Sequence, residues 1–597
     1  MIRLLALLAI LGAALILIAL AGVAIFAGNA AHDTAVVEPE RHGESSELVV
    51  IVHSMFNAPA DMHDVRDVVA AWRPDADILM PRYDAGPFAN TDLREVAAEL
   101  DARIQKLADR AALEGRRYRR IVIIGHGAGA LVARRAYLYG KGYRADYLPI
   151  SARGRANPWV DNVERIVLLA GMNRGWAPQP SPEHASTWKR FLLRLGERIA
   201  RVTGTGEMVL GARRGSPFVT NLRAEWIRLT REHTPPPVIQ LLGDADGVVS
   251  AADDTDQMAA PRFAFIRVLG AGHGDLIEFG DSPDMSLRRR RQTLTEALTA
   301  GIDELVARYP PDRTLLELEP DITHIVFIRH GVLDLGAWMD RFRRLVARDD
   351  ASVEILAPDY DRIPMASFLL FADRQEKVRE LADEYTEALA RFPHADRVSF
   401  IGHSNGTFLL ASLLERYAAL GFHRVYLAGS VVRRDFEWRR FAARVGAVRN
   451  DMAAGDWVVA VFPRLFEQAR RLPWLAGLDY LAPGSSGFNG FDAPLAEHYE
   501  FGYFAGGHGG ALEAQMNVYS IAEFVLEDNL ARMSRPVPLL PAAPGWLELA
   551  SDFAWLVWLA LLVVVIGAGV LLWRVAPARG TVLVVYVGAL VAALYTI

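Results

Sequence analysis

The chain contains no cysteine. That absence removes disulfides, thiolate nucleophiles and cysteine-ligated zinc, while leaving the cellular compartment open. Positive charge is not in excess either. The net charge is −6 and the pI is near 6.2, so no general attraction to nucleic acid is expected. Neither an HExxH pattern nor a Walker A loop occurs, and no cofactor or metal is expected. What is plentiful is apolar: 52% of the 597 residues are hydrophobic. A chain of that length divides into two or more domains.

Apolar residues gather at both ends. Leu4 to Ala27 carries no charge and is long enough to cross a hydrocarbon core about 30 Å thick. It reads as an uncleaved anchor, since the apolar region of a signal peptide runs to about 7–15 residues; cleavage at Ala30 or Ala31 is the alternative. Phe553 to Trp573 and Thr581 to Ile597 read as two further spans, joined by a loop with Arg574 and Arg579. Arginine bias puts Arg3 and that loop inside. It puts the acidic segment with Asp33, Glu38, Glu40, Glu44 and Glu47 outside, so the soluble bulk is expected to be extracytoplasmic, periplasmic if the cell is bacterial.

Between the ends the sequence repeats itself. Glu47-Leu-Val-Val-Ile-Val-His53-Ser54 matches Thr323-His-Ile-Val-Phe-Ile-Arg-His330-Gly331. Ile78-Leu-Met-Pro-Arg-Tyr-Asp84 matches Ile355-Leu-Ala-Pro-Asp-Tyr-Asp361, and Ile124-Gly-His-Gly-Ala-Gly129 matches Ile401-Gly-His-Ser-Asn-Gly406. Position 53 against 330, 78 against 355 and 125 against 402 give one offset of 277. Each copy is domain-sized, so the repeat is a tandem duplication rather than a solenoid. Short apolar strands alternating with helical stretches (Leu93–Leu113, Val378–Phe392) predict mainly parallel α/β sheets with helices on both faces. The expected layout is an anchor over 1–29, a linker over 30–45 and a first domain over 46–308. A linker at 309–320, a second domain over 321–530, a proline-rich spacer over 531–550 and two spans within 551–597 follow.

The chemistry centres on Ile401-Gly402-His403-Ser404-Asn405-Gly406. An apolar strand precedes it, and a helix with Leu409, Leu410, Leu413 and Leu414 on one face follows. Strand, Gly-x-Ser-x-Gly, helix is the nucleophile-elbow pattern, in which small residues are needed on either side of a strained serine. A serine hydroxyl needs a histidine base, and that base needs a carboxylate to hold its tautomer. Downstream lie Asp456 and, in a glycine-rich loop, His508. Asp451 is the alternative acid; Asp456 is preferred because Asp-x-Val-Val recurs as Asp246-Gly-Val-Val. A turn or helix-capping role for Asp456 also fits. The segment Val458–Phe466 reads either as a lid or as a packed excursion.

In these features both copies resemble the α/β-hydrolase superfamily, most closely its lipase and esterase branches: a His-Gly strand end, the elbow, then Asp and His in that order. The resemblance implies two tandem α/β-hydrolase-like domains, and in the second an ester-cleaving triad of Ser404, His508 and Asp456. It further implies an oxyanion hole from the N–H groups of Asn405 and Val332. The first copy has Gly127 where the second has Ser404, yet keeps Asp246 (or Asp244) and His273. Without a nucleophile it is expected to be inactive toward esters, with Ser54 a conceivable substitute. Gly125-His-Gly127-Ala-Gly-Ala130 also fits the dinucleotide fingerprint, but two strands precede it where that fingerprint needs the first βα turn. The expected partners are an ester or lipid-like substrate and a membrane. Acyl transfer by the same triad, or a non-catalytic scaffold, are the competing readings.

Overall fold

A computed structural model describes residues 45–86, 89–147, 154–177, 205–249, 262–280, 284–310, 318–331, 337–357, 371–475, 482–493, 497–527, 539–575 and 579–596. The chain divides into two compact units, 1–317 and 318–597. The proposed N-terminal span, Leu4–Ala27, and the oxyanion candidate Val332 lie outside the described residues.

The first unit is built on strands β1 (Glu47–Val52), β2 (Asp77–Leu79), β3 (Arg120–His126), β4 (Val163–Leu169), β5 (Val238–Gly243) and β6 (Phe263–Val268). They form one sheet in the order β2-β1-β3-β4-β5-β6, with every neighbouring pair parallel. Parallel strands buried on both faces need apolar residues at nearly every position. β1 shows it: Leu48, Val50 and Val52 enter one core layer, Val49 and Ile51 the other. The helix Leu93–Leu113 covers the first of these faces. Asp92 caps it by accepting from Arg94 N, and Val96, Leu100, Ile104, Leu107 and Ala111 make its buried stripe.

The second unit uses β7 (His324–Arg329), β8 (Val353–Leu356), β9 (Arg397–His403), β10 (Phe422–Ala428), β11 (Val445–Ala453), β12 (His498–Tyr499) and β13 (Tyr503–Phe504). The order is β8-β7-β9-β10-β11-β12, with β13 paired to β11. This repeats the order of the first unit strand for strand. The offset of 277 holds residue by residue at the centre: β9 occupies Arg397–His403 where β3 occupies Arg120–His126. It shortens after the next helix, where the first unit has a longer connection into β4 (Val163–Leu169) than the second has into β10 (Phe422–Ala428).

In both sheets the chain runs outward from β1 to β2, or β7 to β8, then returns to lay the next strand on the other side. The strand ends at that reversal cannot be closed over by their own connections, so a crevice opens there. Gly125 and Gly402 end β-registers beside Val52 and Arg329, which puts the two elbow turns at the crevice.

At the C-terminal end, Ala554–Val575 is the one helix among the described residues long and apolar enough to cross a membrane. The following helix, Arg579–Thr596, is apolar over the shorter stretch Gly580–Leu590. The two are tied by Tyr586 Oη, which donates to Val565 O at 2.8 Å.

Candidate active site

Ser404 stands alone between β9 and the helix Asn405–Arg416, with φ 52° and ψ −118°. For a residue with a Cβ this is a strained conformation, costing on the order of 1–3 kcal/mol. Gly127, at the same place after β3, has φ 50° and ψ −117°. The turn thus has the same shape in the copy that carries glycine there. The flanking glycines are dictated by packing: a Cβ on Gly402 would stand 2.9 Å from Phe400 Cε1, and one on Gly406 would run into the backbone of Arg329. Ser404 precedes the first turn of the helix Asn405–Arg416, an end where negative charge is favoured.

The histidine arrives from the far edge of the sheet. His508 Nδ1 donates to Asp456 Oδ2 at 2.9 Å. Asp456, fully buried, also caps the helix Trp457–Arg470, its Oδ1 accepting from Val459 N at 3.0 Å. The capping and orienting roles set against each other in the sequence are therefore held by one carboxylate, one oxygen for each. Asp451 is elsewhere. It lies within β11, paired through both oxygens with the Arg449 guanidinium and receiving hydrogen bonds from Tyr426 and Asn517. That network occupies its lone pairs and keeps it off the imidazole.

A further contact was not anticipated from sequence. His403 Nε2 donates to the carbonyl oxygen of His508 at 3.3 Å, and His126 Nε2 does the same to His273 at 3.1 Å. The residue before the elbow position thus braces the loop that carries the base. Its signal in the sequence was Gly-His at the same place in both copies.

No hydrogen bond joins Ser404 Oγ to His508 among the described residues. A Cβ at Gly331 would stand 2.5 Å from Ser404 Cβ and 3.0 Å from Oγ. Asn405 begins the helix directly after the serine, so its N–H belongs to the unsatisfied first turn. Of the two expected oxyanion donors, only this one falls on described residues.

In the first unit the equivalent Asp–His pair is present. His273 Nδ1 donates to Asp246 Oδ2 at 2.9 Å, while Asp246 Oδ1 accepts from Val248 N and Val249 N. Burial pushes the Asp246 carboxyl up, but the His273 contact and those two N–H groups outweigh it and hold the pKa below its ordinary value. Asp244 is turned away, accepting from Gly270 N at 2.6 Å. The imidazole pairs match across the copies: His126 with His273 and His403 with His508 both have centroids 4.9 Å apart at 41°.

Ser54 occupies the position equivalent to Gly331, and its Oγ accepts from Ala128 N at 3.1 Å, the amide equivalent to Asn405. A side chain on Gly127 would collide with the Ser54 hydroxyl, and its Cβ would stand 3.0 Å from His273 Nε2. Ser54 itself is 1% exposed. Its hydroxyl fills the space a side chain at 127 would need and occupies the Ala128 amide.

No protein-family model and no curated protein matches the chain. Solved structures similar to it include phospholipase PlaB from Legionella pneumophila in complex with thio-NAD, at 16% identity and TM-score 0.32, covering 44% of this chain and 61% of that one. Esterase 2 of Thermogutta terrifontis, butyrate-bound, is similar at 16% identity and TM-score 0.28, covering 46% and 90%. An alpha/beta hydrolase superfamily protein from Enterococcus faecalis is similar at 14% and 0.29, covering 44% and 93%. The chain thus spans less than two thirds of the phospholipase. Likenesses at this level say nothing about activity. On strand order, parallel registers and elbow geometry, each of the two units has the α/β-hydrolase type of fold.

Proposed function

We propose that the second unit is a serine hydrolase of carboxylic esters, carried on a membrane-anchored chain whose first unit is catalytically closed. Ser404 Oγ attacks the ester carbonyl while His508 Nε2 takes its proton. The Asn405 N–H, with a donor from the turn after β7, receives the developing oxyanion. His508 then returns the proton to the departing alcohol, leaving an acyl-serine. A water, deprotonated by the same imidazole, attacks that acyl-enzyme and releases the acid. Asp456 keeps Nδ1 protonated throughout, so Nε2 is the free base.

The observation that carries this reading is the pairing of a strained serine at an elbow with an imidazole already held by a buried carboxylate. The apolar helix Ala554–Val575 supports a membrane anchor; Arg3, Arg574 and Arg579 favour the extracytoplasmic side for the soluble units, and the proposed substrate is a lipidic ester. Turnover of p-nitrophenyl acyl esters by the purified chain tests the chemistry. Hydrolysis that survives Ser404→Ala overturns it, and acyl groups recovered on an added alcohol rather than as free acid point to a transferase. Reporter fusions after Glu40 and after Arg579 test the topology: the first is expected outside and the second inside.

A further inference from the structure

The helix Trp457–Arg470 begins at the Asp456 cap and ends against the apolar C-terminal helix. Phe462 meets Trp558 edge-on at 4.9 Å, and Trp558 Nε1 donates to Val461 O. Near its far end Gln468 bridges the end of the short helix Gly545–Asp552 and the first turn of the apolar helix. Its Nε2 donates to Ser551 O at 3.1 Å and Asp552 O at 2.9 Å, and its Oε1 accepts from Trp555 N at 3.1 Å. Trp546, Leu549, Phe553 and Trp555 are all exposed around this junction, as side chains at a membrane–water boundary are.

At that junction lies a pocket of about 310 Å³ lined by Arg433, Arg434, Arg464, Arg470 and Arg471. Its acidic lining residues are three, Asp435, Glu467 and Asp492; Arg433 also reaches Glu415 at 3.4 Å, and Arg464 stands 4.0 Å from Asp552. The acids are already engaged. Glu467 accepts from Arg434 N, Ser485 N, Ser485 Oγ and Arg464, while Asp492 accepts from Arg434. Arg471 has no ion-pair partner among the described residues. Arg464 is buried, with 7% of its side chain exposed, and its Nε has no hydrogen-bond partner among them. A buried guanidinium donor left open beside an Arg471 unpaired among the described residues is the chemistry of a site for an anion with several acceptor oxygens.

We propose that this pocket binds the anionic phosphate headgroup of a membrane lipid. Continuity decides for a lipid over a free anion: the pocket residues flank Gln468, and Gln468 holds the turn where the apolar helix starts. A lipid seated there has its phosphate among the arginines and its tails beside Ala554–Val575. The proposal rests on reading that helix as a membrane span, and not on Ser404 being catalytic.

The test uses the full-length Ser404→Ala chain in uncharged detergent, with the thermal midpoint as readout. Water-soluble dihexanoyl phosphatidylglycerol at tenfold excess over its Kd is expected to raise the midpoint by about 3–6 °C. Dihexanoyl phosphatidylcholine, whose headgroup is zwitterionic, is expected to give less than a third of that shift. Arg471→Glu and Arg434→Gln are each expected to remove the phosphatidylglycerol shift; Arg471 has no ion pair to break. Equal shifts from the two lipids, a full shift from inorganic phosphate alone, or a shift unchanged in Arg471→Glu would each overturn the proposal. The reporter fusion after Arg579, made on the same chain, shows separately whether the span itself is wrong.

Discussion

Ser54 and Gly127 of the first unit hold each other's places. The Ser54 hydroxyl occupies the space a side chain at 127 would need, and in the second unit the two positions are reversed as Gly331 and Ser404. A serine fits at one of the two positions only when the other is glycine. The expected outcome is that Gly127→Ser, made in a Ser404→Ala background, gains no fluorophosphonate labelling and loses about 1–3 kcal/mol of stability from overpacking. Adding Ser54→Gly empties the seat and frees the Ala128 amide, and labelling at position 127 is expected to appear. Gel fluorescence and denaturation of the two variants check both parts.

The same reciprocity applies to the second unit. Gly331→Ala places a methyl 2.5 Å from Ser404 Cβ, which displaces the nucleophile without touching His508 or Asp456. Ester hydrolysis is expected to fall by at least about 100-fold, as a misplacement of about 1 Å can do. Circular dichroism is expected to stay native. A variant retaining more than a tenth of wild-type kcat/KM would contradict the arrangement.

Asp456 has two duties, and substitutions separate them. Asp456→Asn keeps an N-cap acceptor but no longer fixes the imidazole tautomer, so kcat is expected to drop by about 10⁴ with stability nearly unchanged. Asp456→Ala is expected to lose the activity and a further ~1 kcal/mol from the cap. Asp451→Ala behaves in the opposite sense. It strands the buried Arg449 guanidinium, and is expected to cost about 3–5 kcal/mol of stability. Urea melts set beside kcat for the three variants check the division.

How much of this was legible in the sequence depended on where the information lay. The elbow was readable because a Cβ at 402 would press on the Phe400 ring and one at 406 would run into the Arg329 backbone, and Ser404 sits between these two glycines. The repeat was readable because buried parallel strands need near-continuous apolar runs, and β1 and β7 carry them in one register. The plug at Ser54 was not readable. It depends on two side chains more than seventy positions apart competing for one space, and strand pairing of β1 with β3 brings them there. Asp456 was ambiguous for a physical reason, since a capping and an orienting carboxylate obey the same local pattern and here are the same group. The apolar run Val458–Phe466, open between a lid and a packed excursion, is a helix docked on the C-terminal apolar helix.

A buried histidine sets an acid limit on the second unit. Burial lowers the His324 pKa from 6.5 to about 4, with its Nε2 within 2.8 Å of Ser399 Oγ. The folded pKa lies below the unfolded one, so the unfolded chain binds the extra proton first as pH falls. The stability from keeping His324 neutral is complete above pH 6.5 and declines between there and about 4. The loss reaches about 3 kcal/mol. Thermal midpoints from pH 7.5 to 4 check this, and His324→Gln is expected to flatten the slope.

The most direct measurement is to treat the full chain with a fluorophosphonate and locate the adduct by mass spectrometry of its peptides. The account predicts a single adduct on Ser404, absent in Ser404→Ala and sharply reduced in His508→Ala, with Ser54 unmodified. A folded chain that takes no label, or an adduct on Ser54 in place of Ser404, would contradict it.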